Sequence, residues 1–225
     1  MSLSADLART AADIVTGPIE PSADCPFCSR RLQGSQVLHD RILFQGPGVN
    51  VIPTLGMLMP GHLLVTSLAH ITSMAYLKRA ELTSLNRWME FLRNRLYHQF
   101  GEYLMFEHGT SPESLSSSCV AHAHIHLLPC TQDLKCRLRS ALPWRPVRDY
   151  ASIHDIAGED YAYLRISDEH LIVRDPRVES QWIRRQVAAT LNRDDWDWCL
   201  TKDARELQQT LKKLCAFSYS NFRLL

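Results

Sequence analysis

Apolar residues recur at three- and four-residue steps from Leu82 through Leu85, Met89, Leu92 and Leu96 to Phe100. That is one continuous stripe and predicts a helix over Lys78 to Phe100. Arg79, Glu81, Arg87, Glu90, Arg93 and Arg95 fall largely outside the stripe, and Gly101 supplies a stop. Shorter apolar runs at Val37 to Phe44, Val49 to Pro53, His62 to Thr66 and Tyr103 to Glu107 read as strands, with Gly46-Pro47-Gly48 and Pro60-Gly61 as turns. The sharpest alternation is His122-Ala-His124-Ile-His126-Leu-Leu-Pro129. A strand sends successive side chains to opposite faces, so three imidazoles share one face and Ala123, Ile125 and Leu127 the other. Further on, Tyr161 to Ile166 and His170 to Val173 predict a hairpin, Ser180 to Leu191 a helix with Ser180 as N-cap, and Asp203 to Phe217 a last amphipathic helix. Leu138 to Tyr150 reads as irregular, and Ala5 to Val15 as a short helix stopped by Gly17-Pro18. Antiparallel strands with one long helix packed on a face make an α+β domain.

The chain has 225 residues, 45% of them hydrophobic, which suits one domain with additions and a substantial core. A net charge of +1 gives no basic field, so no nucleic-acid partner is expected. No apolar run approaches about 18 residues, so no membrane span is expected. The N-terminus lacks a basic segment followed by an apolar run, so no signal peptide is expected. Seven cysteines is an odd number, and only Cys25 and Cys28 have close spacing. That fits a reducing, cytoplasmic compartment better than a disulfide framework.

Successive histidines of the row stand about 6.5–7 Å apart on a strand. They aim at a metal, a phosphate or both; the plainer alternative is a solvated edge strand. Cys25-Pro26-Phe27-Cys28 places two thiolates within reach of one tetrahedral zinc if two more ligands arrive from elsewhere. Taken alone it reads equally as a redox pair or as two small buried residues. His62 and His70 are each either ligands or satisfied, partly buried histidines. The Ser-rich run ending at Ser117, Ser118 and Cys119 lies directly before the histidine row, where hydroxyls and backbone N–H groups suit anionic oxygens. Arg184 and Arg185 offer a paired grip on phosphate, against the alternative of a solvated helix surface.

These residues resemble the signature of the histidine triad (HIT) superfamily of nucleotidyl hydrolases and transferases. The likeness rests on His122-Ala-His124-Ile-His126-Leu-Leu, on Pro60-Gly61-His62-Leu63-Leu64-Val65 with His70-Ile71-Thr72-Ser73, and on Phe106-Glu107-His108-Gly109. It covers roughly residues 25–130. Ser180-Gln181-Trp182-Ile183-Arg184-Arg185 and Asp195-Trp196-Asp197-Trp198 look like the tail of longer bacterial-type members. The resemblance implies an entry segment (1–24), a HIT-like catalytic domain (25–135) with about five antiparallel strands, and a helical C-terminal extension (136–225) packed on it. It also implies frequent homodimers. His124 would be the nucleophile toward the α-phosphorus, forming a nucleotidyl-histidine intermediate. His126 would hydrogen-bond phosphate oxygens, and His62 would face the same site. Cys119 stands where many relatives carry a small hydroxyl residue, and a thiol is the weaker donor. Glu107 stands where shorter relatives place a substrate-binding carboxamide. Ser117 and Ser118 would complete the phosphate contacts. Zinc-bearing branches use positions matching Cys25, Cys28, His70 and His122, which implies a structural Zn2+ in a closed Cys₂His₂ set.

The expected activity is cleavage of a nucleoside 5′-phosphate from a polyphosphate, phosphoramidate or sugar-phosphate partner. The alternatives are a dinucleoside polyphosphate phosphorylase and a catalytically weakened nucleotide-binding protein. A rival of another class is a metal-dependent hydrolase whose ion is shared by His122, His124 and His126.

Overall fold

The computed structural model describes residues 24–28, 38–112, 120–174, 178–200 and 204–221. The expected helix near the N-terminus lies outside the described residues. Eight strands follow in order: β1 (Phe44–Gly46), β2 (Val49–Pro53), β3 (Leu63–Ser67), β4 (Tyr103–Gly109), β5 (His124–Pro129), β6 (Arg145–Val147), β7 (Tyr161–Ile166) and β8 (Glu169–Val173). Among the described residues the longer helices are α1 (Arg79–Phe100), α2 (Gln132–Ala141), α3 (Trp182–Thr190) and α4 (Arg205–Asn221). Short 3-10 helices occupy Met74–Tyr76 and Tyr150–Ile156. No helix among the described residues is long and apolar enough to cross a membrane.

The strands form one antiparallel sheet in the order β1-β2-β3-β5-β4-β7-β8-β6. The expectation of about five strands is corrected to eight. The first five neighbours, β1-β2-β3-β5-β4, all come from residues before 130. They alone would leave β4 as an edge with unpaired N–H and C=O groups. Strand β7 covers that edge in register from Met105↔Arg165 to Gly109↔Tyr161 and carries β8 and β6 with it. The C-terminal extension is therefore not purely helical, and part of it continues the same sheet. The stretch read as irregular holds the end of α2 and strand β6.

Period-two alternation assigns the two faces. Leu63, Val65, Ile125, Leu127, Tyr103, Met105, Tyr161 and Tyr163 point to a core shared with Leu82, Leu85, Met89, Leu92 and Leu96 of α1. Leu104, Phe106, Leu128, Ala162, Leu164 and Ile166 point the other way, onto Leu134 and Leu138 of α2 and Ile183, Val187 and Ala188 of α3. Because both faces are covered, β2, β3 and β7 are buried along their whole length. Helix α1 starts with the Glu81 carboxylate accepting from Lys78 N–H and ends at Gly101, whose N–H donates to the Tyr97 carbonyl.

Gly61 sets the entry into β3. Its φ is +86°, and a Cβ there would stand 2.6–2.8 Å from Tyr103 Oη and the Phe100 ring. Its carbonyl accepts from Tyr103 Oη at 2.9 Å, and its N–H donates to Thr210 Oγ1 of α4 at 2.8 Å. Helix α4 thereby holds the turn that delivers His62.

Glu107 is 1% exposed and sits on the α1 side of β4. Its carboxylate accepts from Met74 N–H and Tyr150 Oη, both at 2.8 Å, tying the 3-10 helices at Met74–Tyr76 and Tyr150–Ile156 to the sheet. Burial pushes the carboxyl up from 4.5 to about 7, against the lowering effect of the Met74, Tyr150 and Tyr161 bonds. Between those two values the folded chain holds a proton that the unfolded chain releases. Stability from this group is full below the unfolded value and is lost as pH rises to about 7. Glu107→Gln keeps the shape and removes the titration. Urea unfolding at pH 5 and pH 7.5 is expected to show wild type losing on the order of 1–3 kcal/mol more than the variant across that interval. Equal losses in the two proteins would place the slope on other groups.

Candidate active site

Four donors from three distant stretches meet at the start of β5. Cys25, Cys28, His70 and His122 each bring one ligand atom, all within 4.8 Å of one another. His70 Nδ1 and His122 Nδ1 are 3.2 Å apart. Cys28 Sγ lies 3.2 Å from His70 Nδ1 and 3.6 Å from His122 Nδ1, and Cys25 Sγ lies 3.4 Å from His122 Nδ1. A tetrahedral ion with ordinary zinc bond lengths requires N···N edges of about 3.3 Å and S···N edges of about 3.6 Å. The observed separations match that tetrahedron, so the donor set fits a metal ion. The His122 ring is oriented as a ligand. Its Nε2 donates to the Ser67 carbonyl at 2.8 Å, which leaves the Nδ1 lone pair for the cluster. His122 itself stands just before the strand, which begins at His124.

From there the row turns to a different environment. His124 and His126 line a cleft of about 730 Å³, measured with its open mouth. His124 Nδ1 lies 2.8 Å from the carbonyl of His122. A carbonyl only accepts, so Nδ1 carries the proton and Nε2 keeps its lone pair. Burial lowers the His124 pKa, against the raising effect of that bond, so the neutral ring is favoured.

Behind it, His62 is fully buried, and its Nε2 stands 2.9 Å from His126 Nδ1. His62 Nδ1 is buried and has no hydrogen-bond partner among the described residues. A bare lone pair there costs less than an N–H without an acceptor. The proton of His62 is therefore assigned to Nε2, which donates to His126 Nδ1. His126 then carries its own proton on Nε2, the nitrogen left for the cleft. Burial first, then neighbouring charges including Arg184, hold both His62 and His126 well below the usual histidine range.

The walls are mostly apolar. Phe27, between the two cysteines, packs edge-on against both His122 and His124 at centroid distances of 5.4 and 5.5 Å. Phe106 and His108 come from the cleft face of β4, alternate to Glu107. Burial takes the His108 pKa down to about 4. The opposite wall is built by the tail: Gln181, Trp182, Ile183, Arg184 and Trp198. Trp182 stacks on Phe106 with centroids 5.4 Å apart. Gln181, not Ser180, is the residue preceding α3, with φ +59°. Its amide donates to Asp197 Oδ1 and accepts from Trp198 N–H, both at 3.1 Å, fastening the helix start to the Asp-Trp-Asp-Trp turn.

The structure thus gathers Cys25, Cys28, His70 and His122 at one point and His124 and His126 in the adjoining cleft, with His62 one layer behind. Glu107 is turned to the opposite face, because β4 alternates and Phe106 and His108 occupy the cleft side. Its carboxylate is already engaged by Met74 and Tyr150. Ser117, Ser118 and Cys119 lie outside the described residues. His108, Phe106 and Trp182 are not among the expected site residues, and of the pair Arg184 and Arg185, weighed as a grip on phosphate, only Arg184 lines the cleft. Period-two counting from Phe106 marks His108, but nothing local marks a tail residue as a cleft wall.

No protein-family model matches the chain. No curated protein sequence matches it either. Among solved structures, it is similar to a Hit-like protein involved in cell-cycle regulation from Bartonella henselae, crystallised with an unknown ligand. The two share 12% sequence identity over 62% of this chain and 96% of that one, with a TM-score of 0.40.

Proposed function

We propose that this protein is a HIT-type nucleotidyl hydrolase or transferase that cleaves a nucleoside 5′-phosphate from a phosphate-linked partner through a nucleotidyl-histidine intermediate. The observation that carries this reading is the state of His124. Burial favours its neutral ring, the His122 carbonyl 2.8 Å away holds the proton on Nδ1, and the ring lines a cleft beside His126. A neutral imidazole in that tautomer is a competent nucleophile toward phosphorus, and covalent catalysis divides one displacement into two.

In the first step His124 Nε2 forms the bond to the α-phosphorus, and the P–O or P–N bond to the leaving group breaks with its electron pair on that group. Negative charge spreads over the equatorial oxygens, where a donor already in place is most useful. His126 Nε2–H supplies such a donor, and His62 holds that ring in the required tautomer. In the second step water or phosphate attacks the phosphorus, and the P–N bond to His124 breaks. Cys25, Cys28, His70 and His122 would hold a zinc ion whose contribution is to fasten the start of β5 to the early chain. The rival metal-dependent hydrolase is disfavoured because Nδ1 of His122 is directed at the cysteines and His70, away from His124 and His126.

Two measurements test this. Incubated with nucleoside polyphosphates, phosphoramidates and nucleotide sugars labelled at the α-phosphorus, wild type is expected to retain an acid-labile label. His124→Ala is expected to retain none and to lose turnover by at least about 100-fold, with the fold intact. Near-normal turnover in that variant would overturn the assignment. Elemental analysis of purified protein is expected to find a single zinc ion per chain, and Cys28→Ser to lose most of it together with thermal stability. Full metal content in Cys28→Ser would place the ion elsewhere.

A further inference from the structure

His108 is the last cleft-facing residue of β4, two positions beyond Phe106 and alternate to Glu107. It lines the cleft together with His124 and His126. In register it stands beside Ala162 of β7, so the strand that covers the edge of β4 also brings Asp160 near this ring. Asp160 precedes β7 and accepts from Ser111 N–H at 2.8 Å. The rings feel one another: the charge of His124 lowers the pKa of His108, and the charge of His108 lowers that of His126. Burial is the larger cause of the low His108 pKa, and Asp160 opposes it. No hydrogen bond is among these causes, and none joins either ring nitrogen of His108 to another described residue.

The other cleft imidazoles are committed. In a nucleotidyl-histidine intermediate Nε2 of His124 is bonded to phosphorus, and its Nδ1 already carries a proton held by the His122 carbonyl. His126 accepts from His62 on Nδ1 and carries its own proton on Nε2. The charge of Arg184, whose guanidinium donates to the carbonyls of Leu55, Gly56 and Trp196, favours the neutral forms of His62 and His126. Neither His124 nor His126 can take a further proton while the intermediate stands. Water attacking phosphorus must nevertheless lose one. His108, neutral and partly exposed, has a lone pair to receive it. The phosphoryl oxygens bring negative charge to the same cleft and Asp160 adds its own, so the imidazolium of His108 becomes easier to form once the substrate is bound.

We propose that His108 is the general base of the second step, taking the proton of the water molecule that attacks the phosphorus of the nucleotidyl-His124 intermediate. The new O–P bond forms, and the P–N bond breaks with its electron pair returning to His124 Nε2. The proton rests on His108 and then passes to solvent through the open mouth of the cleft. The proposal rests on the reading of the cleft as a nucleotidyl-transfer site and deepens it. A base is needed for water and not for phosphate, which attacks as an anion, so the acceptor is water and the activity hydrolytic.

The test uses p-nitrophenyl esters of the common nucleoside 5′-monophosphates, labelled at the α-phosphorus. Nitrophenolate leaves as an anion without a proton, so its release reads the first step and loss of label from the protein reads the second. His108→Gln is expected to release its first equivalent of nitrophenolate within about threefold of the wild-type rate and then to turn over about 100-fold more slowly or worse. Label is expected to accumulate on His124 in the variant over the same interval. First-turnover release slowed as much as steady turnover would make His108 a support of the cleft or a group of the first step, and would overturn the proposal while leaving the covalent reading standing. Unchanged turnover would overturn it in the same way. Absence of covalent label from both wild type and variant would remove that reading and this proposal together. Should His108→Gln not fold by circular dichroism, His108→Asn decides by the same comparison.

Discussion

One residue couples the two halves of the site. His122 gives its ring to the Cys–His cluster and its carbonyl to the ring of His124. The side chain is immobilised by the Ser67 carbonyl on one nitrogen and by the clustered donors on the other. A peptide group whose side chain is fixed at both ends cannot easily rotate, so the carbonyl that sets the tautomer of His124 is itself held in direction. Phe27 reinforces the link by packing on both rings. Losing the cluster would therefore disturb more than the early chain: it would loosen the group that decides which nitrogen of His124 bears the proton.

The second dependence runs across the sheet. Strand β4 brings Phe106 and His108 to the cleft and Glu107 to the opposite core, and it does so in the middle of the sheet because β7 covers its outer edge. Continuing past β7, the same chain returns beneath the sheet as α3 and builds the far wall of the cleft. Completion of the sheet and closure of the cleft are thus achieved by one segment. The burial of strands on both faces follows from this third layer.

Much of the fold was legible in the residues. The stripe from Leu82 to Leu96 and the alternation around His124 each repeat with a period tied to one kind of backbone, and β2, β7 and α1 fall close to the expected places. The Cys–His cluster was legible as a set only with the family resemblance, since Cys25 and Cys28 are far in sequence from His70 and His122. Glu107 shows the limit of carrying roles by position: strand alternation puts its carboxylate on the core side, where burial raises its pKa to about 7. The eight-stranded sheet was not legible, because a run such as Tyr161 to Ile166 predicts a strand but not which edge it joins. The role of the tail was hidden for the same reason. Arg184 looks like a surface charge on an amphipathic helix until the chain folds back over residues 55–56.

The spacing of the parts along the chain has a consequence for biosynthesis. The last donor of the cluster, His122, is translated well before Gln181 to Trp198 emerge from the ribosome. A nascent chain can therefore gather its early and middle segments around the cysteines while the histidine cleft still lacks one side. During that interval β4 has no β7 beside it, and its open edge is a template for other strands. The arrival of the tail both seals that edge and encloses the cleft.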